Sequence, residues 1–219
     1  MKVGTDSVLL GAWCDVESAN FALDIGCGTG LIALILAQKK AELKIDAVEI
    51  SAESAAEAEE NIQNSPFKKQ ISVFCDAIQN FAKKCNKKYD LIVSNPPFFV
   101  NSLKCQNEKR SLARHTTTLP YCDLLFAVEK LLNPNGSFSV ILPEKQCENF
   151  IKTAKVHNLF LAKQTEVFST PQSSCHRRLM TFITQISQIN TKNKLIIENS
   201  RHKYTDEYIA LTKDFYLKF

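Results

Sequence analysis

Short apolar runs rich in β-branched residues alternate along this chain with longer stretches whose apolar residues recur at helical spacing. The predicted strands are residues 21–25, 45–50, 71–75, 89–94 and 137–142. The predicted helices are residues 31–38, 51–64, 77–84, 121–132 and 144–157. Because strands and helices alternate, we predict an α/β fold with a largely parallel sheet.

The last third of the chain departs from this alternation. Residues 159–168 and 179–186 follow one another without a predicted helix between them, so we expect an antiparallel pair of strands. Residues 194–198 are a further strand candidate, and a helix is predicted near residues 207–213. The chain has no internal repeat, and we expect residues 1–219 to form a single domain.

The composition, with 45% hydrophobic and 23% charged residues, is ordinary for a soluble globular protein. The net charge of +4 permits a phosphate-bearing partner without requiring one. No apolar run is long enough to span a membrane and the first residues do not resemble a signal peptide, so we expect a cytoplasmic protein with no membrane partner. None of the eight cysteines forms a Cys-x-x-Cys pair and the four histidines are scattered, so we expect no metal site.

A glycine-rich turn lies between the first predicted strand and the first predicted helix. Residues 24–30 read Asp-Ile-Gly-Cys-Gly-Thr-Gly, and glycines at such a turn let the backbone approach a ligand closely. The dinucleotide-binding pattern would need a glycine at position 31, where this chain has Leu31. The run instead resembles the first motif of the class I methyltransferases. That resemblance implies S-adenosyl-L-methionine as the cofactor, bound by Asp24, Gly26, Gly28 and Gly30.

Two acidic residues follow the next two strands. Glu49 ends the second predicted strand, and a carboxylate there can accept hydrogen bonds from both hydroxyls of a ribose. The third strand runs into Asp76, whose carboxylate can accept from the amino group of an adenine. Both lie at carboxyl ends of strands, where ligands bind in open α/β sheets. The alternative for each is a solvent-exposed helix cap.

The fourth predicted strand ends at Asn95-Pro96-Pro97-Phe98, which we predict to be the catalytic turn. An exocyclic amine conjugated to a planar ring is a poor nucleophile, because its lone pair is delocalised. The Asn95 side-chain oxygen and a backbone carbonyl such as that of Pro96 can accept from its two hydrogens and restore the lone pair. The prolines make this geometry rigid, and Phe98 offers a face on which a base can stack. Alone, Asn-Pro would indicate only a turn.

Four segments together resemble the bacterial tRNA(Val) adenine-N6 methyltransferases. They are residues 2–13 (KVGTDSVLLGAW), the glycine turn, residues 95–99 (NPPFF) and residues 204–216 (YTDEYIALTKDFY). The resemblance implies a Rossmann-like class I methyltransferase fold, with a doubly wound, mostly parallel seven-stranded sheet and an antiparallel late strand. It also implies a tRNA substrate modified beside the anticodon, and places Thr5 near the cofactor. Members of that family usually carry a short segment before residue 2, so we expect either a truncated start or a shorter form. A monomer is favoured.

Basic residues beside the catalytic turn are the candidates for contact with RNA. Lys104, Arg110 and Arg114 lie in the long polar stretch after that turn, and Arg177 and Arg178 join two late strands. The alternative for each is an ordinary solvated surface.

Other functions share parts of this pattern. Protein glutamine methyltransferases also use an Asn-Pro-Pro-aromatic turn, although they generally end it with tyrosine where this chain has Phe98. A DNA-adenine or rRNA exocyclic-amine methyltransferase is also compatible with the motifs. More remote alternatives are a nucleotide-binding module without catalysis and an NAD oxidoreductase.

Overall fold

The computed structural model describes residues 4–97, 119–185 and 191–217. Seven α-helices lie within these ranges: α1 (Thr5–Trp13), α2 (Leu31–Lys39), α3 (Ala52–Gln63), α4 (Ile78–Lys84), α5 (Tyr121–Leu131), α6 (Glu144–Val156) and α7 (Asp206–Thr212). A short 3₁₀ helix, Lys213–Phe215, follows α7. The helices predicted from the sequence agree with α2 to α7 to within two residues at each end, whereas α1 was not predicted as a helix.

The strands in the same ranges are β1 (Phe21–Ile25), β2 (Lys44–Glu49), β3 (Ile71–Cys75), β4 (Tyr89–Ser94), β5 (Leu132–Pro143), β6 (Phe160–Phe168), β7 (Cys175–Ile183), β8 (Thr191–Ile196), β9 (Glu198–Ser200) and β10 (Lys203–Tyr204). Eight of them form one sheet in the order β3-β2-β1-β4-β5-β7-β6-β8, and β9 and β10 form a separate antiparallel hairpin. All neighbours in the large sheet are parallel except where β7 pairs with β5 and β6. The α/β fold, the mostly parallel sheet and the antiparallel late strand are therefore confirmed.

The described sheet has eight strands, one more than the seven expected. The additional strand, β8, lies at the edge beside β6 and its first four residues are exposed. Lys192 pairs with Glu166 at 2.8 Å, and the Lys194 ammonium lies 4.3 Å from the centre of the Phe168 ring. A short polar edge strand shows little of the period-two apolar pattern that reveals a strand in sequence. From the sequence, a strand was predicted only from residue 194 onward, which includes the apolar end of β8.

Helices cover both faces of the sheet, as in a doubly wound fold. Apolar side chains from α1, α2, α3 and α7 pack on one face, and those from α4, α5 and α6 pack on the other. Strand β1 lies between β2 and β4, so the chain order reverses there. Open α/β sheets bind ligands at the carboxyl ends of the strands on either side of such a reversal. The turns after β1 and β4 are therefore the first place to look for a site.

No helix among the described residues is both long and apolar enough to cross a lipid bilayer.

Candidate functional site

The glycine turn after β1 has a backbone that only glycine adopts easily. The φ angles of Gly26, Gly28 and Gly30 are 71°, 56° and 80°, in the left-handed region that costs other residues about 1–2 kcal/mol each. The Gly26 N–H donates to the Val48 carbonyl of β2 at 2.8 Å. A Cβ atom added to Gly26 would meet no atom within 4 Å, so the turn leaves open space above it.

Glu49 is held firmly at the end of β2. Its Oε2 accepts from the Gly28 N–H and its Oε1 accepts from the Ser51 N–H, both at 2.9 Å. The side chain is 9% exposed. Because each carboxylate oxygen can accept more than one hydrogen bond, the anchored group keeps acceptor capacity for hydroxyl groups in the adjoining space.

Asp24, the first residue of the glycine motif, lies beneath the turn and does not border the cavity described below. It is 0% exposed, and neither carboxylate oxygen has a hydrogen-bond partner among the described residues. Burial raises the pKa of Asp24 to about 7, and the nearby Glu49 carboxylate adds to the rise. The backbone N–H of Ala33 is near enough to lower the pKa in part, without meeting hydrogen-bond geometry.

Asp76 follows β3 and is held by the N-cap of α4 and by two side chains of that helix. Its Oδ1 accepts from the Ala77 N–H at 2.8 Å and from Asn80 Nδ2 at 3.2 Å, and its Oδ2 accepts from Lys84 Nζ at 3.0 Å. The hydrogen bond from Lys84, with a further one from Asn80, holds the pKa of Asp76 below its usual value. The carboxylate is therefore bound to Lys84 and Asn80 of α4 and also borders the cavity, but it is not the helix cap that the alternative interpretation proposed, because the N-cap of α4 is Ala77.

The Asn-Pro-Pro turn lies beside the glycine turn because the ends of β4 and β1 are tied together. The buried Ser94 hydroxyl donates to the Ile25 carbonyl at 2.8 Å. Pro96 is buried and Pro97 is exposed. Asn95 donates from Nδ2 to the Ser7 hydroxyl of α1 at 3.0 Å, and its Oδ1 has no hydrogen-bond partner in the described ranges.

One cavity opens between the two turns. Its volume is about 240 Å³, a little below the roughly 300–1,000 Å³ that is usual for small-molecule sites. Its walls are Ile25, Gly26, Val48, Glu49, Ile50, Asp76, Ile78, Gln79, Ser94, Pro96, Pro97 and Leu119. The structure thus brings five of the predicted residues to one space: Gly26, Glu49, Asp76, Pro96 and Pro97.

Other predicted residues lie beside this cavity or outside the described ranges. Gly28 and Gly30 support the glycine turn without lining the cavity, and Asn95 lies between the lining residues Ser94 and Pro96 without lining it either. Thr5, which the resemblance places near the cofactor, is the first residue of α1 and does not line the cavity. Phe98, Lys104, Arg110 and Arg114 lie outside the described residues.

The two arginines near the start of β7 are both paired with carboxylates. Arg178 is 7% exposed and pairs with Glu144 and Glu148 of α6. Arg177 Nε donates to Asp6 Oδ2 of α1 at 2.8 Å. The interpretation of Arg178 as an RNA contact was therefore wrong, because a buried, doubly paired guanidinium is not available to a phosphate.

Neither Ser7 nor Ser94 was predicted from the sequence to be part of the site. Their contacts are to residues 88 and 69 positions away. No local motif marks such contacts. In the described part of the chain, no cluster of three or more metal-binding side chains occurs.

Residues 2–170 match the methyltransferase small domain family. A tRNA1(Val) (adenine(37)-N6)-methyltransferase of Bacteroides fragilis is 47% identical over 219 residues, which is 100% of this chain and 92% of that protein. Proteins of the same name from Parabacteroides distasonis and Yersinia enterocolitica are 44% and 40% identical, again over 100% of this chain and over 92% and 87% of theirs. These alignments include the tail beyond the matched family domain.

Solved structures resemble this fold at low sequence identity. A predicted O-methyltransferase from Agrobacterium tumefaciens has a TM-score of 0.75 at 18% identity, over 95% of this chain and 96% of that one. A putative RNA methyltransferase from Pyrococcus horikoshii has a TM-score of 0.57 at 17% identity, over 82% of this chain and 81% of that one. At such identities the likeness concerns the fold alone.

Proposed function

This chain belongs to the methyltransferase small domain family, and we propose that it is an enzyme that methylates the N6 atom of an adenine in tRNA. The methyl donor is S-adenosylmethionine. The substrate is tRNA1(Val) at adenine 37, beside the anticodon, by similarity to relatives 40–47% identical over essentially the whole chain. We further propose that it acts as a monomer in the cytoplasm, where tRNA is modified.

The donor side of the cavity fits S-adenosylmethionine. Gly26 leaves open space where any side chain would project, which suits close approach of the methionine part to the backbone. The anchored Glu49 carboxylate suits the two ribose hydroxyls. The Asp76 carboxylate at the cavity wall suits the adenine amino group, although it shares its oxygens with α4.

The acceptor side would prepare the adenine amine for attack. Bound S-adenosylmethionine supplies a methyl group on a positively charged sulfur, so the donor is already activated. Asn95 Oδ1 and the Pro96 carbonyl would accept from the two N6 hydrogens, which draws the nitrogen away from planarity and restores its lone pair. Because both prolines restrict φ, these acceptors need little rearrangement when the reaction occurs. The nitrogen becomes positively charged on methylation and then releases a proton to solvent.

One observation carries this chemistry: a single cavity is bordered on one side by Gly26 and Glu49 and on the other by Pro96 and Pro97. A binding module without catalysis would not need an Asn-Pro-Pro turn beside the proposed cofactor site. The aromatic position that separates glutamine from nucleobase substrates, Phe98, lies outside the described residues, so the substrate assignment is supported by the relatives.

The decisive experiment offers the protein three substrates with isotope-labelled S-adenosylmethionine. They are unmodified tRNA1(Val) transcript, duplex DNA and a glutamine-containing peptide. We expect label in the tRNA alone, recovered as N6-methyladenosine. A transcript with guanine at position 37 is the matched control and should remain unlabelled. Label in the peptide alone would overturn the assignment to RNA.

A further inference from the structure

The first turn of α1 lies directly against the proposed catalytic turn. The Ser7 hydroxyl accepts a hydrogen bond from Asn95 Nδ2 at 3.0 Å. Ser7 is the third residue after the N-cap, Gly4, a position from which a polar side chain often folds back on its own helix. Here no side chain caps α1, and the hydroxyl instead reaches a residue 88 positions away.

Helix α1 is a fixed support for this contact. Its residues from Val8 to Ala12 are buried. At its first turn, Asp6 pairs with Arg177 of β7 at 2.8 Å. At its other end, the Lys39 ammonium of α2 donates to the carbonyls of Gly11, Ala12 and Cys14. A helix anchored at both ends can hold a side chain in one orientation.

The orientation of the Asn95 amide decides what it offers a substrate. An amide has one acceptor oxygen and one donor nitrogen, and rotation by half a turn exchanges them. The adenine N6 group presents two donor hydrogens, so only the oxygen can receive it. When Nδ2 is bound to Ser7, Oδ1 is the atom left to accept from the substrate.

We propose that Ser7 is a positioning residue that holds the Asn95 amide with its oxygen available to the adenine amine. This inference rests on the proposed function, because it assumes that Asn95 Oδ1 accepts from N6. It predicts that Ser7 affects the methyl-transfer step and leaves cofactor binding and folding almost unchanged.

The first test compares Ser7→Ala with Ser7→Thr, which keeps the hydroxyl. Alanine is a good helix former, so α1 should persist in Ser7→Ala. We expect kcat on tRNA to fall about tenfold, the effect of one hydrogen bond that matters in the transition state. The Kd for S-adenosylmethionine and the melting temperature should stay near wild-type values. Ser7→Thr should recover most of kcat. An unchanged kcat in Ser7→Ala, or a Ser7→Thr variant as slow as Ser7→Ala, would overturn the proposal.

The matched control is Ser54→Ala. Ser54 is the third residue after its own N-cap, Ser51, in α3, and does not line the cavity. Its replacement should leave kcat unchanged. A tenfold loss there too would mean that the Ser7 effect reports general helix disturbance.

A double-mutant cycle separates the role of Ser7 from the proposed function itself. If Ser7 acts through Asn95, the Ser7→Ala change should have no further effect on kcat in an Asn95→Ala background. Another tenfold loss in that background would show that Ser7 acts elsewhere, and would overturn the positioning role while leaving the enzyme's function intact. Full activity of Asn95→Ala would instead contradict the proposed chemistry at the catalytic turn.

Discussion

The two turns that border the cavity differ in how far along the chain their hydrogen-bond partners lie. The glycine turn is held by Val48 and Glu49, on the strand that directly follows in the sheet. The Asn-Pro-Pro turn is joined to Ile25 through Ser94 and is also bonded to Ser7, on a helix that precedes the sheet in the sequence. The difference indicates that the proposed cofactor side of the cavity is built locally, within one β-α-β unit. The substrate side requires distant parts of the fold to meet.

The largest expected effect is on the Asn-Pro-Pro side. Asn95→Ala should reduce kcat by about a thousandfold, since under the proposed function it removes the side-chain acceptor for the reacting amine. The Kd for S-adenosylmethionine should change less than about twofold, because the cofactor side is built separately. Single-turnover kinetics and calorimetry measure the two quantities. Equal losses in both would contradict the separation of the two sides. Asn64→Ala, at an exposed helix end, is the control.

The next largest effect concerns the acid beneath the glycine turn. The pKa of Asp24 is raised to about 7 in the folded protein, above its ordinary value of about 3.8. Between these values the folded state holds the proton more tightly than the unfolded state, so stability should fall as pH rises from about 4 to 7 and then level off. Asp24→Asn should gain on the order of 2 kcal/mol relative to the wild type between pH 5 and pH 8. Denaturant unfolding at both values tests this, and a constant difference between the two proteins would contradict it.

A smaller effect is expected when the anchored carboxylate is changed. Glu49→Gln replaces one acceptor oxygen with an NH2 group that must face either the Gly28 or the Ser51 N–H. We expect the Kd for S-adenosylmethionine to rise roughly thirtyfold, the range of a hydrogen bond to a charged group. At saturating cofactor, kcat should stay near wild type. Glu53→Gln, exposed in the first turn of α3, is the matched control and should bind normally.

The smallest effect distinguishes two glycines of the same turn. Both Gly26→Ala and Gly30→Ala should lower the free energy of unfolding by about 1–2 kcal/mol, because both have positive φ. Only Gly26 borders the cavity, so only Gly26→Ala should also weaken S-adenosylmethionine binding, by about fivefold. The added Cβ of Gly30→Ala would meet Ile62 and Ala58 of α3 instead. Equal binding losses would mean that the turn responds to substitution as a whole.

The features that could be predicted from the sequence are those formed by residues close together in the chain. The apolar pattern predicted β1 to β7 and the antiparallel pairing of β6 with β7, because each element carries its own signal. The glycine motif and the acids at strand ends pointed to one edge of the sheet. There the structure gathers Gly26, Glu49 and Asp76 around one cavity. Their roles in binding stay predictions.

The contacts that could not be predicted join residues far apart in the chain. Nothing near Ser7 indicates that it meets Asn95, and nothing near Arg178 indicates that it is buried against α6. Such contacts depend on how helices pack on the sheet, which a local pattern does not specify. The same reason explains why Asp24 looked like a ligand-binding residue but lies below the cavity.

The packing of α1 against α7 has a consequence for synthesis on the ribosome. Residues 5–13 pack partly on residues 206–212, and Tyr208 belongs to the same apolar cluster as Leu9 and Leu10. A chain emerging from its amino terminus therefore leaves one side of its first helix uncovered until residues 206–212 have been translated. A nascent polypeptide that stops before these residues would expose the apolar surface of α1 to chaperones and proteases.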